Sequence, residues 1–117
     1  MSDSSRDAAL LRLRAVLEQA RRENRTVTYL QAADATGIEP PQRIHQLARL
    51  VEILLKQDVA AGRVPLAALV VSRVRGGLPA PGFFDRAARL GIFDGADPAR
   101  FHSELLASLF NSTGKFR

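Results

Sequence analysis

The chain has 117 residues, 46% of them hydrophobic, which suits one domain with its own core and excludes a disordered chain. It has no cysteine, which excludes disulfides, thiolate metal sites and thiol nucleophiles. The net charge of +5, with all but two of the 17 basic residues arginine, favours an anionic partner, because arginine makes bidentate contacts with phosphate and guanine.

The first segment, MSDSSRDAALL, has no basic stretch ahead of an apolar one, so no secretory signal is expected. No apolar run approaches membrane-spanning length, and a cytoplasmic location is the expectation. Ser4 or Ser5 can cap a helix that runs to Asn24, with Leu10, Leu13, Val16, Leu17 and Ala20 as its buried stripe. The opposite face holds Arg6, Arg12, Arg14, Arg21 and Arg22 and reads as solvated. Residues 26–28 form a β-favouring connection. Thr28, followed three residues later by Gln31, has the pattern of a capping box for a helix over 29–36 that turns Leu30, Ala33 and Tyr29 inward. Gly37 stands where a left-handed residue ends that helix.

The next helix is expected to open on Pro40 or Pro41, since a first-turn N–H has no intrahelical partner to lose. The series Ile44, Leu47, Ala48, Val51, Leu54, Leu55 and Val59 carries it to Ala61, and Gly62 stops it. VPLAALVVSRV, between Gly62 and Gly76-Gly77, reads as a buried strand, and residues 64–84 as a hairpin with an irregular return. Residues 85–90 form a short helix, with Phe83 and Phe84 before it in the core. Asp97 caps a last helix over 98–111, and the tail STGKFR follows.

The pattern therefore predicts one mainly α domain over 1–117 with a small β-hairpin: a helix-turn-helix core over about 28–61, the hairpin over about 64–84 and the C-terminal helix. A helix-turn-helix binds through phosphate contacts that hold it and side chains early in its second helix that reach base edges. Gln42, Arg43, His45, Gln46 and Arg49 occupy that stretch, with 42, 46 and 49 expected on a shared face. Glutamine pairs with adenine and arginine with guanine. No catalytic residues and no cofactor are assigned. His45 and His102 lie far apart without zinc-site spacing, Ser72 lacks a nucleophile elbow, and GGLPAPG is not a phosphate loop.

Thr28-Tyr29 with Ala32-Ala33, then Gly37, Pro40-Pro41 and Arg43, then residues 65–73 and the turn over 76–84 come in a familiar order. That order resembles the C-terminal domain of the alkylguanine-DNA alkyltransferases and the inert alkyltransferase-like proteins, over roughly residues 10–90. The stretch PLAALVVSRVRGGLPAPGFF is also similar to bacterial proteins with a winged-helix-like domain. The resemblance implies a winged-helix-like fold, an inserting role for Arg43, and a wing flanked by Arg73 and Arg75. LAALVVSR stands where the family has its active-site cysteine motif, so alkyl transfer is excluded, and LVEILLKQDVAAG is an insertion. The expected role is non-enzymatic binding of double-stranded DNA. The alternative is a protein-interaction module or homodimer built on the last helix and Phe83-Phe84. No membrane or small-molecule partner is expected.

Overall fold

The computed structural model of the protein describes residues 3–111. Its helices are α1 (Asp3–Arg22), α2 (Tyr29–Thr36), α3 (Arg43–Ala60), α4 (Pro81–Arg89) and α5 (Pro98–Asn111). Two-residue strands β1 (Val27–Thr28) and β2 (Val70–Val71) pair in parallel, Val27 opposite Val70 and Thr28 opposite Val71. The fold is thus mainly helical. None of the described helices is long and apolar enough to cross a membrane.

In α1, Leu10, Leu13, Leu17 and Ala20 recur at helical spacing and are buried. The helix begins at Asp3, so Ser4 and Ser5, expected as caps, lie inside it. Beyond its end Asn24 takes φ 55, a left-handed conformation that asparagine tolerates better than most residues. The capping box of α2 forms as expected. Thr28 Oγ1 accepts from the Gln31 N–H at 3.1 Å, and Gln31 Oε1 accepts from the Thr28 N–H at 2.9 Å. Gly37 closes α2 at φ 74. Tyr29, Ala32, Ala33 and Thr36 make the buried stripe of α2, and Leu30, one residue off that spacing, is left 55% exposed.

The start of α3 departs from expectation. Gln42 sits at φ 60, ψ 40, outside the helical region, so the helix begins only at Arg43 and not at the prolines, whose shared peptide is cis. The first turn of α3 lies outside the core, and Ile44, expected to be buried, is 44% exposed. From Leu47 onward Leu47, Val51, Leu54 and Leu55 are buried as expected, Ala48 and Val59 are half-buried, and Leu50 joins the core as well.

The expected hairpin over 64–84 does not form. Leu66–Leu69 make a 3-10 turn, β2 contributes two residues, and Arg73–Arg75 make a second 3-10 turn. Among the described residues, antiparallel pairing of the two arms is reduced to a single Ser72–Leu78 bridge. Two causes act together. β1 offers only two residues for pairing before Thr28 caps α2. Residues 66–71 are also buried on every side, and a run of that kind has no periodicity to separate strand from turn. The return arm holds a further correction: PGFF is the first turn of α4, with Pro81 early in the helix, where its missing N–H costs nothing.

Phe83 and Phe84 are core residues, packed edge to face at 5.3 Å, and Phe93 stacks on Phe101 at 4.6 Å. Asp97 Oδ1 accepts from the Arg100 N–H and caps α5. The α5 residue His102 is buried, with its Nε2 2.8 Å from the Ala68 carbonyl. A carbonyl can only accept, so Nε2 carries the proton. Burial lowers the His102 pKa, opposed by that hydrogen bond.

At the far end of α3, Asp58 is fully buried. Its Oδ1 accepts from Arg14 at 2.9 Å and from Arg63 at 2.9 and 3.1 Å, and its Oδ2 accepts from the Leu66 N–H at 3.0 Å. The arginine face of α1 is therefore only partly solvated: Arg14 joins α1 to α3, and Arg12 donates to the Thr36 carbonyl at the end of α2.

Candidate nucleic-acid interface

The residues predicted to read bases are brought near one another but divide into two groups. Arg43 and Gln46 are committed to the protein itself. Arg43 Nε donates to the Ile38 carbonyl at 2.9 Å, and its guanidinium pairs with Asp34, so it fastens α3 to the last turn of α2. Gln46 Nε2 donates to the carbonyls of Pro41 at 2.7 Å and Glu39 at 3.2 Å, which holds the proline loop against the helix. Gln42 is the left-handed N-cap of α3 and not a helical residue as expected, and it is exposed. His45 and Arg49 are exposed, four residues apart on one face of α3, and neither has a hydrogen bond or ion pair from its side chain among the described residues.

The second predicted group lies in the loop over 72–78. Arg73 is exposed and its side chain has no partner among the described residues. Arg75 Nε donates to the Pro79 carbonyl at 3.0 Å and braces the loop. Tyr29 places this loop relative to α3. Its hydroxyl accepts from the Ala80 N–H at 3.0 Å and feels both the Glu52 carboxylate and the Arg75 guanidinium. Burial raises the Tyr29 pKa, with Glu52 adding to the rise and the Ala80 bond and Arg75 opposing it. Glu52 also pairs with Arg86 of α4. A Cβ on Gly82 would lie 2.6 Å from Glu52 Oε2, so the first turn of α4 lies against the Glu52 carboxylate of α3. The loop, the start of α4 and the middle of α3 thus meet around Tyr29 and Glu52.

Most of the described arginines have internal partners: besides Arg12, Arg43 and Arg75, Arg14 and Arg63 pair with Asp58, Arg21 with Glu18, Arg25 with Glu23, Arg86 with Glu52 and Arg100 with Glu104, and Arg22 donates to Gln19. Four cations, Arg49, Lys56, Arg73 and Arg89, have none among the described residues. Sequence reasoning missed Lys56 and Arg89. Lys56 was legible, since it lies seven residues after Arg49 on the same side of a periodic helix. Arg89 was not, because nothing local separates it from Arg86 of the same helix, which is paired with Glu52. A shallow cavity of about 530 Å³ lies elsewhere, over Phe93 and Phe101, and its rim of Asp94, Asp97 and Glu104 is unsuited to phosphate. Among the described residues no group of three or more His, Asp or Glu side chains is placed to hold a metal ion.

No protein-family model, curated protein or solved structure matches the chain.

Proposed function

We propose that the protein is a non-enzymatic nucleic-acid-binding protein that holds double-stranded DNA against α3 and the loop over 72–78. One observation carries this: the fold gives most of its described arginines an internal ion pair or hydrogen bond, and leaves Arg49, Lys56, Arg73 and Arg89 without one among the described residues, on α3, on the loop over 72–78 and on α4, which packs against α3. Cations kept without an internal partner are those able to replace counterions on phosphate. In this scheme α2 and α3 act as a helix-turn-helix. His45, Gln42 and Arg49 face the groove, while Arg73, Lys56 and Arg89 hold phosphates. The order α2, Gly37, α3, which resembles that of the alkyltransferase-like proteins, supports the same role, although the wing of that resemblance is here only the turn over 72–78. Arg43, which that resemblance makes an inserting residue, is here a positioning residue, since Asp34 and the Ile38 carbonyl hold it.

The test is binding to a random-sequence duplex across a salt series. Four engaged cations predict a log–log slope of about −3 to −4. A flat salt dependence would remove the proposal.

One observation favours a different role, that of a protein-interaction module or homodimer. The Arg43–Asp34 pair withdraws one recognition-helix cation, and Phe101, Leu105, Leu106 and Phe110 of α5 are only partly buried. Sedimentation over a concentration series would detect self-association, with a constant monomer mass speaking against the homodimer.

A further inference from the structure

RVRGG places one β-branched aliphatic residue between two arginines, ahead of two glycines. Val74 is 95% exposed, more than Leu11 at 71% or Leu30 at 55%. A single exposed aliphatic residue is ordinary on a protein surface. What distinguishes Val74 is the turn that carries it. The Ser72 N–H donates to the Leu78 carbonyl at 2.7 Å, and the Gly77 and Arg75 N–H groups both donate to the Ser72 carbonyl, at 3.0 and 3.2 Å. The Gly76 N–H donates to the Arg73 carbonyl, and the Arg75 side chain is tied to Pro79. Gly76 at φ 67 and Gly77 at φ 86 supply the left-handed residues that let the chain reverse. The turn is therefore built to hold its valine outward, and little ordering is left to be done on binding.

The neighbours fit one kind of surface. Arg73 beside the valine has no side-chain partner among the described residues, and Arg75, bonded to the Pro79 carbonyl, keeps a second positive charge on the turn. An aliphatic tip flanked by cations suits a groove with phosphates on its rims and base edges on its floor, where apolar side chains enter between base steps and unstack them.

We infer that Val74 is a wedge that enters the minor groove of the duplex held on α3, with Arg73 on the adjoining phosphate. The inference rests on the DNA-binding role proposed above and adds to it a deformation of the DNA. A wedge favours flexible steps such as TA over stiff A-tracts, because the latter resist unstacking.

The experiment uses duplexes of roughly 25 base pairs, a length at which bending is readily measured, carrying a fluorophore pair at their ends and either a central TA step or an A-tract. Wild type, Val74→Ser and Arg49→Ala are compared on both. Val74→Ser should fold normally, since the side chain has almost no protein contact to lose. A thermal melt checks this. Wild type is expected to shorten the end-to-end distance and prefer the TA step. Val74→Ser is expected to bind several-fold more weakly with an unchanged salt slope, and to lose both the bend and the preference. If Val74→Ser binds and bends as wild type does while Arg49→Ala weakens binding, the wedge is overturned and the DNA-binding role stands. If no variant binds either duplex, both fall. Loss of binding to vesicles of anionic lipid in Val74→Ser, with duplex binding intact, would assign the tip to a lipid surface and likewise overturn the wedge.

Discussion

The two ends of α3 treat charge in opposite ways. At the C-terminal end Asp58 is fully buried and collects Arg14, Arg63 and the Leu66 N–H, joining α1, α3 and the Leu66–Leu69 turn. Toward the N-terminal end His45 and Arg49 stand in solvent without an internal partner among the described residues. The difference follows from what surrounds each end. α1 and the Leu66–Leu69 turn pack against α3, and Asp58, which has no exposed surface, must be matched there. Ile44, His45 and Arg49 lie outside the core, so the charge on Arg49 stays hydrated, whereas Arg43 in the first turn is held by Asp34 and the Ile38 carbonyl.

Four variants can break or sharpen this contrast. The largest effect is expected at the closed end. Asp58→Ala leaves Arg14 and the Leu66 N–H without their acceptor, and should cost about 3–5 kcal/mol in urea denaturation. A loss below about 1 kcal/mol would mean that the cluster behaves as a solvated surface network instead. His102 belongs to the same end, since it holds the Ala68 carbonyl of the turn that Asp58 also caps. Its native pKa is lowered, so the unfolded chain takes up the proton more readily. Its contribution to stability is therefore full above about pH 6.5 and declines as pH falls toward the lowered native value. His102→Gln should remove that portion of the pH dependence between the two values. Denaturation midpoints measured against pH for both proteins would check it, and identical profiles would refute it.

The open end should respond in binding and not in folding. Arg49→Ala is expected to leave the melting temperature unchanged and to reduce the salt slope of duplex binding by about 0.9. Arg43→Ala should do the reverse. It gives up a partly exposed ion pair and one charged hydrogen bond, with a cost of about 1 kcal/mol, and leaves the salt slope as it was. A slope reduced as much as in Arg49→Ala would show that Arg43 leaves Asp34 to meet DNA.

Local chemistry was readable because it acts within a few residues. The Thr28–Gln31 capping box, the Gly37 cap, the Asp97 cap and the buried stripes of α1 and α3 each depend on neighbours no more than about one turn apart along the chain. The mainly helical class followed from those stripes. The site was legible only in part. Arg49, His45, Arg73 and Gln42 lie in solvent, whereas Gln46 and Arg43 are spent on loop carbonyls and Asp34. Nothing in residue type separates an arginine that meets a partner from one that fastens a turn.

Tertiary structure decided the rest. VPLAALVVSRV has the composition of a strand, yet among the described residues only Val70 and Val71 pair with the short β1 and Ser72 makes a single bridge to Leu78, while its other sides are filled by α1, α3 and α5. The start of α3 at Arg43 depends on the left-handed backbone of Gln42. The buried place of Asp58 depends on arginines 44 residues before it and five after it in the chain. Sequence fixes which side chains can be buried or charged. Which charges meet each other, and which are left for a partner, is set only when distant segments close around the same helix.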